Sequence, residues 1–281
     1  MSKVVILTDS TCDLSEKLIK ENDIKVIPLY VSFGDKIYKD GVEINSSKLY
    51  ELVSENKKLP KTSACSVGDF VSYFDKYLEQ GYDVFYVGIG AKLSTTYNSA
   101  LLAKDELNTD RVQISDGANL STGTGLLVLK ACKLARDGKS VKEIKKEVDD
   151  LAGKVRSKFA VESLEYLHKG GRCSGVARFL GTMARLKPVI KVEDGKLDVM
   201  AYPIGKKKAL NIMLDDIVKN KDNIHLDCVM VTHTHADSDA EYLFNALKER
   251  IPEAHLEITD AGCVISSHCG KGTIGILYIM K

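Results

Sequence analysis

The chain reads as an α/β protein of two domains, an N-terminal Rossmann-like parallel sheet flanked by helices and a C-terminal mixed sheet with helices. Three observations predict this. Short apolar runs alternate with helix-period segments through the first half, the rhythm of βαβ units whose sheet is covered on both faces. From Lys158 the rhythm changes to paired short strands and strongly amphipathic helices. The 281 residues suffice for two separate cores, at about 100–200 residues per domain.

Taken in order, residues 4–7, 24–31, 84–89 and 112–114 are apolar runs expected to be strands. Phe70, Val71, Phe74 and Leu78 fall at helical spacing, as do Leu126, Leu127, Lys130 and Leu134 with the small Ala131. A helix carrying Val141, Ile144, Val148 and Leu151 closes the first domain, placed at residues 1–156. The second, 157–281, opens with a hairpin of residues 188–192 and 197–202 turning through Glu193-Asp194-Gly195-Lys196. Leu210, Met213, Leu214, Ile217 and Val218 mark one helix, and Ala240, Leu243, Phe244 and Leu247 another. Strands over 226–232, 254–259 and 273–280 complete the mixed sheet.

Composition narrows the function classes. Forty basic and 39 acidic residues leave a formal charge of +1, so no global field drives the chain onto nucleic acid or an acidic membrane. With 7% aromatic residues and no tryptophan, nothing suggests base stacking. No apolar run approaches the about 18 residues of a membrane span, and none suits a signal peptide, so a cytoplasmic protein without stable membrane insertion is expected. The seven cysteines include no CxxC pair and are expected to be reduced.

Four clusters carry the polar chemistry: TDSTCDL from Thr8, TSACS from Thr62, LSTTYNS from Leu93 and SSHCGKGTIG from Ser266. Most follow a strand-like run or open a helix, where hydroxyls and backbone groups converge on ligands in α/β proteins. None supplies a Ser/His/Asp order or a Walker lysine, so the chain looks built to hold a small anion rather than to attack one. VMVTHTHADSD offers a rival, a metal-dependent hydrolase using His233, His235 and Asp237. The bland alternative is that Thr234 or Asp237 caps the following helix, leaving the histidines at its exposed mouth. The glycine-rich CGKGTIG admits a nucleotide-binding regulator or a plain tight turn. His268, among hydroxyls and glycines, is read as a polar site interrupting two strand-like runs. From Tyr166 to Val192, Lys169, Arg172, Arg178, Arg185, Lys187 and Lys191 face no acid in the same stretch, which reads as a solvated face or a docking surface for an anionic partner. Apolar residues such as Phe179, Leu180, Met183 and Leu186 suit either a ligand tunnel or ordinary core.

Together the opening TDSTCDL, Thr62-Ser63 with Ser66, LSTTYNSA at Leu93 to Ala100, Gly170-Gly171-Arg172 and the closing His268 to Gly272 resemble the DegV family of bacterial fatty-acid-binding proteins. The resemblance spans essentially the whole chain, in order. It implies a non-enzymatic protein that binds a long-chain fatty acid such as palmitate at the domain junction, with no other cofactor and no metal. It also implies a partner, a fatty acid kinase to which the carboxylate is presented. Carried over by position, Thr62 and Ser94 would hydrogen-bond the carboxylate, His268 would join the head-group network, and Arg172 would support it from the second domain. Ser63, Thr95 and Gly270 would play supporting parts. The chain departs from the family's usual pattern at Ala64, Cys65, Thr95, Ser266 and Lys271, and at Gly90-Ala91-Lys92, where serines are usual.

Overall fold

The structure, a computed structural model, describes residues 3–173 and 185–281. Its strands are β1 Val4–Asp9, β2 Lys25–Ile27, β3 Tyr30–Phe33, β4 Lys36–Lys39, β5 Lys61–Ser63, β6 Asp83–Gly88, β7 Val112–Asp116, β8 Val155–Ala160, β9 Val189–Glu193, β10 Lys196–Ala201, β11 Val229–His233, β12 Leu256–Asp260 and β13 Ile274–Ile279. Its helices are α1 Glu16–Glu21, α2 Ser46–Asn56, α3 Val67–Glu79, α4 Thr96–Leu107, α5 Thr122–Arg136, α6 Val141–Ala152, α7 Glu165–Gly170, α8 Lys206–Lys219, α9 Asp237–Arg250 and α10 Cys263–Cys269.

The first sheet is parallel, in the order β2-β1-β6-β7. Period-two alternation sends successive side chains to opposite faces. Ile6, Phe85 and Val87 therefore meet α5 and α6, while Val5, Leu7, Val84 and Tyr86 meet Phe70 and Phe74 of α3 and Ala100 and Ala103 of α4. The second sheet is mixed, in the order β10-β9-β8-β13-β11-β12. Its hairpin turns through Asp194 and Gly195, both at positive φ as a type I′ turn requires. Since β8 pairs from Val155 onward, the chain joins the second sheet slightly ahead of the expected 156/157 division.

Helix α5 packs against strands of both sheets, so one core runs from Ile6 and Phe85 through Leu127 to Leu277 and Ile279. Two glycines permit this close double contact. A Cβ on Gly125 would lie 2.7 Å from the Cys12 carbonyl oxygen, and one on Gly123 2.6 Å from Ser157 Oγ.

The apolar run 24–31 is not one strand. Proline supplies no N–H to a ladder, and the chain breaks at Pro28, leaving β2 in the parallel sheet while β3 joins a small antiparallel sheet, β4-β3-β5. That sheet carries Thr62 on β5, opposite Val31. The segment before His268 also differs from expectation, because it forms the short helix α10.

Candidate functional site

A cavity of about 430 Å³ opens where the first sheet's loops meet α7, α10 and β10. That size lies within the roughly 300–1,000 Å³ of small-molecule sites. Its polar wall brings together Thr62, Ser63, Lys92, Ser94, Thr95, Arg172 and His268, contributed by segments far apart in the chain. Its apolar wall consists of Leu29, Ile89, Leu93, Leu120, Leu167, Leu197, Val264 and Ile265. Behind Leu120, Ile265 and Cys269 a further small apolar void reaches Phe159 and Leu277.

Each polar residue has a structural reason to be there. Ser94 and Thr95 follow β6, at the carboxyl edge of the parallel sheet, the side where α/β folds bind ligands. Ser94 Oγ accepts from the Thr96 N–H (3.2 Å) and lies 2.8 Å from Thr96 Oγ1 at the start of α4. Thr62 Oγ1 lies 2.8 Å from His268 Nε2. His268 Nδ1 is buried with no hydrogen-bond partner among the described residues, and close enough to Gly170 that a Cβ there would sit 2.3 Å away. Arg172 follows the left-handed Gly171, and its Nη1 donates to the Gly170 carbonyl. Gly270 is the exception among the expected residues, because it lies outside the cavity wall and backs onto the Tyr166 ring.

Burial, reinforced by the nearby Arg172 guanidinium, holds the His268 imidazole down to about 4. The ring is therefore neutral at pH 7. Because the unfolded imidazole titrates near 6.5, stability linked to keeping it neutral is complete above that value and declines as pH falls toward about 4. An NMR titration of the ligand-free protein should give a His268 midpoint near 4, moving upward when a carboxylate occupies the cavity. A midpoint at the ordinary value in both states would contradict this geometry.

Two carboxylates hold α10 in place, Asp13 of the TDSTCDL cluster and Asp40, which the sequence reading missed. Asp13 accepts from the Gly262 N–H (2.8 Å) and the Ser121 hydroxyl (2.5 Å). Asp40 accepts from the N–H groups of Cys263 (2.8 Å) and Val264 (3.4 Å), and from the Ser10 hydroxyl (2.9 Å). Both are buried, and burial raises the pKa of each. Two acids from the first half thus hold the start of α10, whose far end presents His268. A Cβ on Gly262 would come 3.2 Å from both carboxylates, so glycine suits that junction.

Other expectations resolve differently. The TDSTCDL cluster is scaffold: Asp9 accepts from the Tyr86 hydroxyl (2.7 Å), the Ile89 N–H (2.9 Å) and the Thr11 N–H (3.0 Å), and none of these polar atoms lines the cavity. Neither Thr234 nor Asp237 caps α9. Ala236 occupies the cap position, its N–H donating to His233 Nδ1 (3.3 Å), and His233 is buried rather than exposed. Thr234 instead meets the Tyr50 hydroxyl, and His235 packs edge-on against the Tyr50 ring. Among the described residues no three of His, Cys, Asp or Glu gather where a metal could be held. Among the described residues three of the six cations of the basic run are paired, Lys169 with Glu165 (2.6 Å), Lys187 with Glu162 and Lys191 with Glu193. Arg178, Phe179, Leu180 and Met183 lie outside the described residues. The cysteines are all free thiols. No helix among the described residues is long and apolar enough to cross a membrane.

Comparison with known proteins agrees along the whole chain. The family model described as "Uncharacterised protein, DegV family" matches residues 3–281. A DegV domain-containing protein of Clostridium acetobutylicum is 36% identical over 283 residues, covering 100% of both chains. A DegV family protein from Thermus thermophilus, described as binding fatty acid, superposes with a TM-score of 0.92 at 30% identity, covering 99% of this chain and 100% of its own. A stearic-acid-binding protein from Eubacterium ventriosum gives a TM-score of 0.89 at 29% identity, covering 100% and 99%.

Proposed function

The chain belongs to the DegV family, and on that premise we propose that it binds a long-chain fatty acid, such as palmitate, in the junction cavity and presents the carboxylate to a fatty acid kinase. The observation that carries this reading is the pair of hydroxyls, Thr62 and Ser94, on the polar wall of a cavity whose other wall is apolar.

A hydroxyl has one donor and two acceptor sites. With its hydrogen on Nε2, neutral His268 donates to Thr62 Oγ1, which frees the Thr62 O–H for a ligand. Ser94 Oγ, accepting from the Thr96 N–H and, with the Thr96 hydroxyl as donor, from Thr96 Oγ1 as well, is left in the same way with its O–H to give. Two neutral donors so placed satisfy a carboxylate that would otherwise be buried at prohibitive cost. Arg172 adds positive charge on the same wall. Meanwhile the tail contributes about 0.8 kcal/mol per buried methylene, or roughly 12 kcal/mol for about fifteen before ordering and association costs.

Holding the carboxylate with neutral hydroxyls rather than a bidentate arginine clamp leaves an oxygen nucleophilic. It can then attack a phosphoryl donor on the partner, the acyl O–P bond forming as the donor's P–O bond breaks. In this reading the chain is a cytosolic carrier rather than a catalyst, its units 1–156 and 157–281 meeting at the ligand. Ser63 and Thr95 line the rim of the head-group wall. The reading is tested by extracting natively purified protein with solvent and identifying the bound lipid by mass spectrometry.

A further inference from the structure

Outside the head-group wall lies a second, larger hollow of about 860 Å³. It shares Thr62, Arg172 and His268 with the inner cavity, so the two spaces meet across the residues proposed to hold the carboxylate. Its other walls are cationic. Lys57, at the end of α2, and Lys58 and Lys61, leading into the strand of Thr62, are exposed and have no ion-pair partner among the described residues. Lys169 is also there, paired with Glu165.

We propose that this groove is a phosphoryl site, holding the phosphate of a phosphorylated acyl chain whose tail stays in the inner cavity. The assignment rests on the fatty-acid reading above. Away from Thr62, Ser94, Arg172 and His268 the inner walls are mostly leucine, isoleucine and valine, and the lysine there, Lys92, donates to the Asp194 carbonyl, so a phosphate joined to the carboxyl oxygen fits outward rather than inward. It carries about −1.5 to −2 at pH 7 and needs charged partners, whereas the carboxyl group it esterifies becomes neutral. Phosphorylation therefore moves the ligand's charge from the hydroxyl pair to the lysines. The same lysines contribute nothing to holding an unmodified fatty acid, because none of Lys57, Lys58 and Lys61 lines the inner cavity.

The test compares palmitate with hexadecyl phosphate, a stable stand-in for the acyl phosphate, on delipidated full-length protein. The variant Lys57→Gln/Lys58→Gln/Lys61→Gln should bind hexadecyl phosphate at least tenfold more weakly than wild type, while palmitate affinity stays within twofold. Added salt should weaken hexadecyl phosphate more than palmitate in the wild type, and this difference should shrink in the variant. Wild-type protein that binds palmitate but not hexadecyl phosphate would overturn the phosphoryl site alone, as would equal losses for both ligands in the variant. Inorganic phosphate or ATP displacing hexadecyl phosphate at comparable concentration would place the phosphate on a separate molecule and also overturn it. Wild-type protein that binds neither lipid would overturn the fatty-acid reading itself.

Discussion

Replacing both Thr62 and Ser94 with alanine should weaken fatty acid binding by roughly two to four orders of magnitude, at about 1.5–3 kcal/mol for each hydrogen bond to a charged group. The two side chains are small and stand at the cavity wall, so the double variant should fold normally. The form of the loss is as informative as its size. Each methylene changes affinity by about fourfold. A change confined to the head group should therefore lower the affinities for C14, C16 and C18 acids by the same factor. Calorimetric or fluorescence titrations across that series measure it. A loss that grows with chain length would move Thr62 and Ser94 away from the carboxylate, and unchanged affinity would remove them from the site.

The second large effect is expected at a residue that touches no ligand. Asp40→Ala leaves the N–H groups of Cys263 and Val264 without their acceptor, in a site where Asp40 itself is 2% exposed. Leaving a buried donor unsatisfied costs about 1–3 kcal/mol, so the variant should lose roughly 2–4 kcal/mol and, at about 2–4 °C per kcal/mol, melt some 5–15 °C lower. Fatty acid affinity should fall too, because α10 carries His268 to Thr62. Asp40→Asn keeps one carbonyl acceptor and should recover part of both losses. Thermal unfolding alongside lipid titration makes the measurement. A melting temperature unchanged in Asp40→Ala would show that the Asp40 bonds do not hold α10 in place.

What could be read from the sequence follows from how each element is buried. Strands β1 and β6 are buried on both faces and begin or centre on plain apolar runs, while α6 keeps a wet face and shows its period through Val141, Ile144 and Val148. The run around Pro28 stays apolar on both sides as it passes from one sheet to another, so hydrophobicity could not mark the change; the proline itself was the signal. Helix α10 hid for a related reason. Cys263, Val264, Ile265, Ser266 and Ser267 are all buried, so the segment has no exposed face to give it a helical period. The roles of Asp13, inside the TDSTCDL cluster, and of Asp40 were hidden because their partners, Gly262 and Cys263, lie at the other end of the chain.

The basic stretch holds no acid of its own, but Glu162 and Glu165 stand just before Tyr166 and Glu193 just after Val192, and these pair with Lys187, Lys169 and Lys191. Among the described residues Lys57, Lys58 and Lys61 also have no ion-pair partner, and they stand beside the TSACS cluster, whose Thr62, Ser63 and Ala64 line the inner cavity. Motif order brought Thr62, Ser94, Arg172 and His268 together on paper through a family resemblance, and the fold brings the same four to one cavity. Gly270 belongs to the turn behind them, where φ of +83° and the Tyr166 ring account for the glycine.

The central claim, that the junction cavity holds a fatty acid, is tested most directly by mass spectrometry of solvent extracts from natively purified protein. A saturated or monounsaturated acid of roughly sixteen carbons, present near one per chain and largely lost from the Thr62→Ala/Ser94→Ala variant, is the predicted result. Protein that yields no fatty acid, and takes none up after delipidation, would contradict the account.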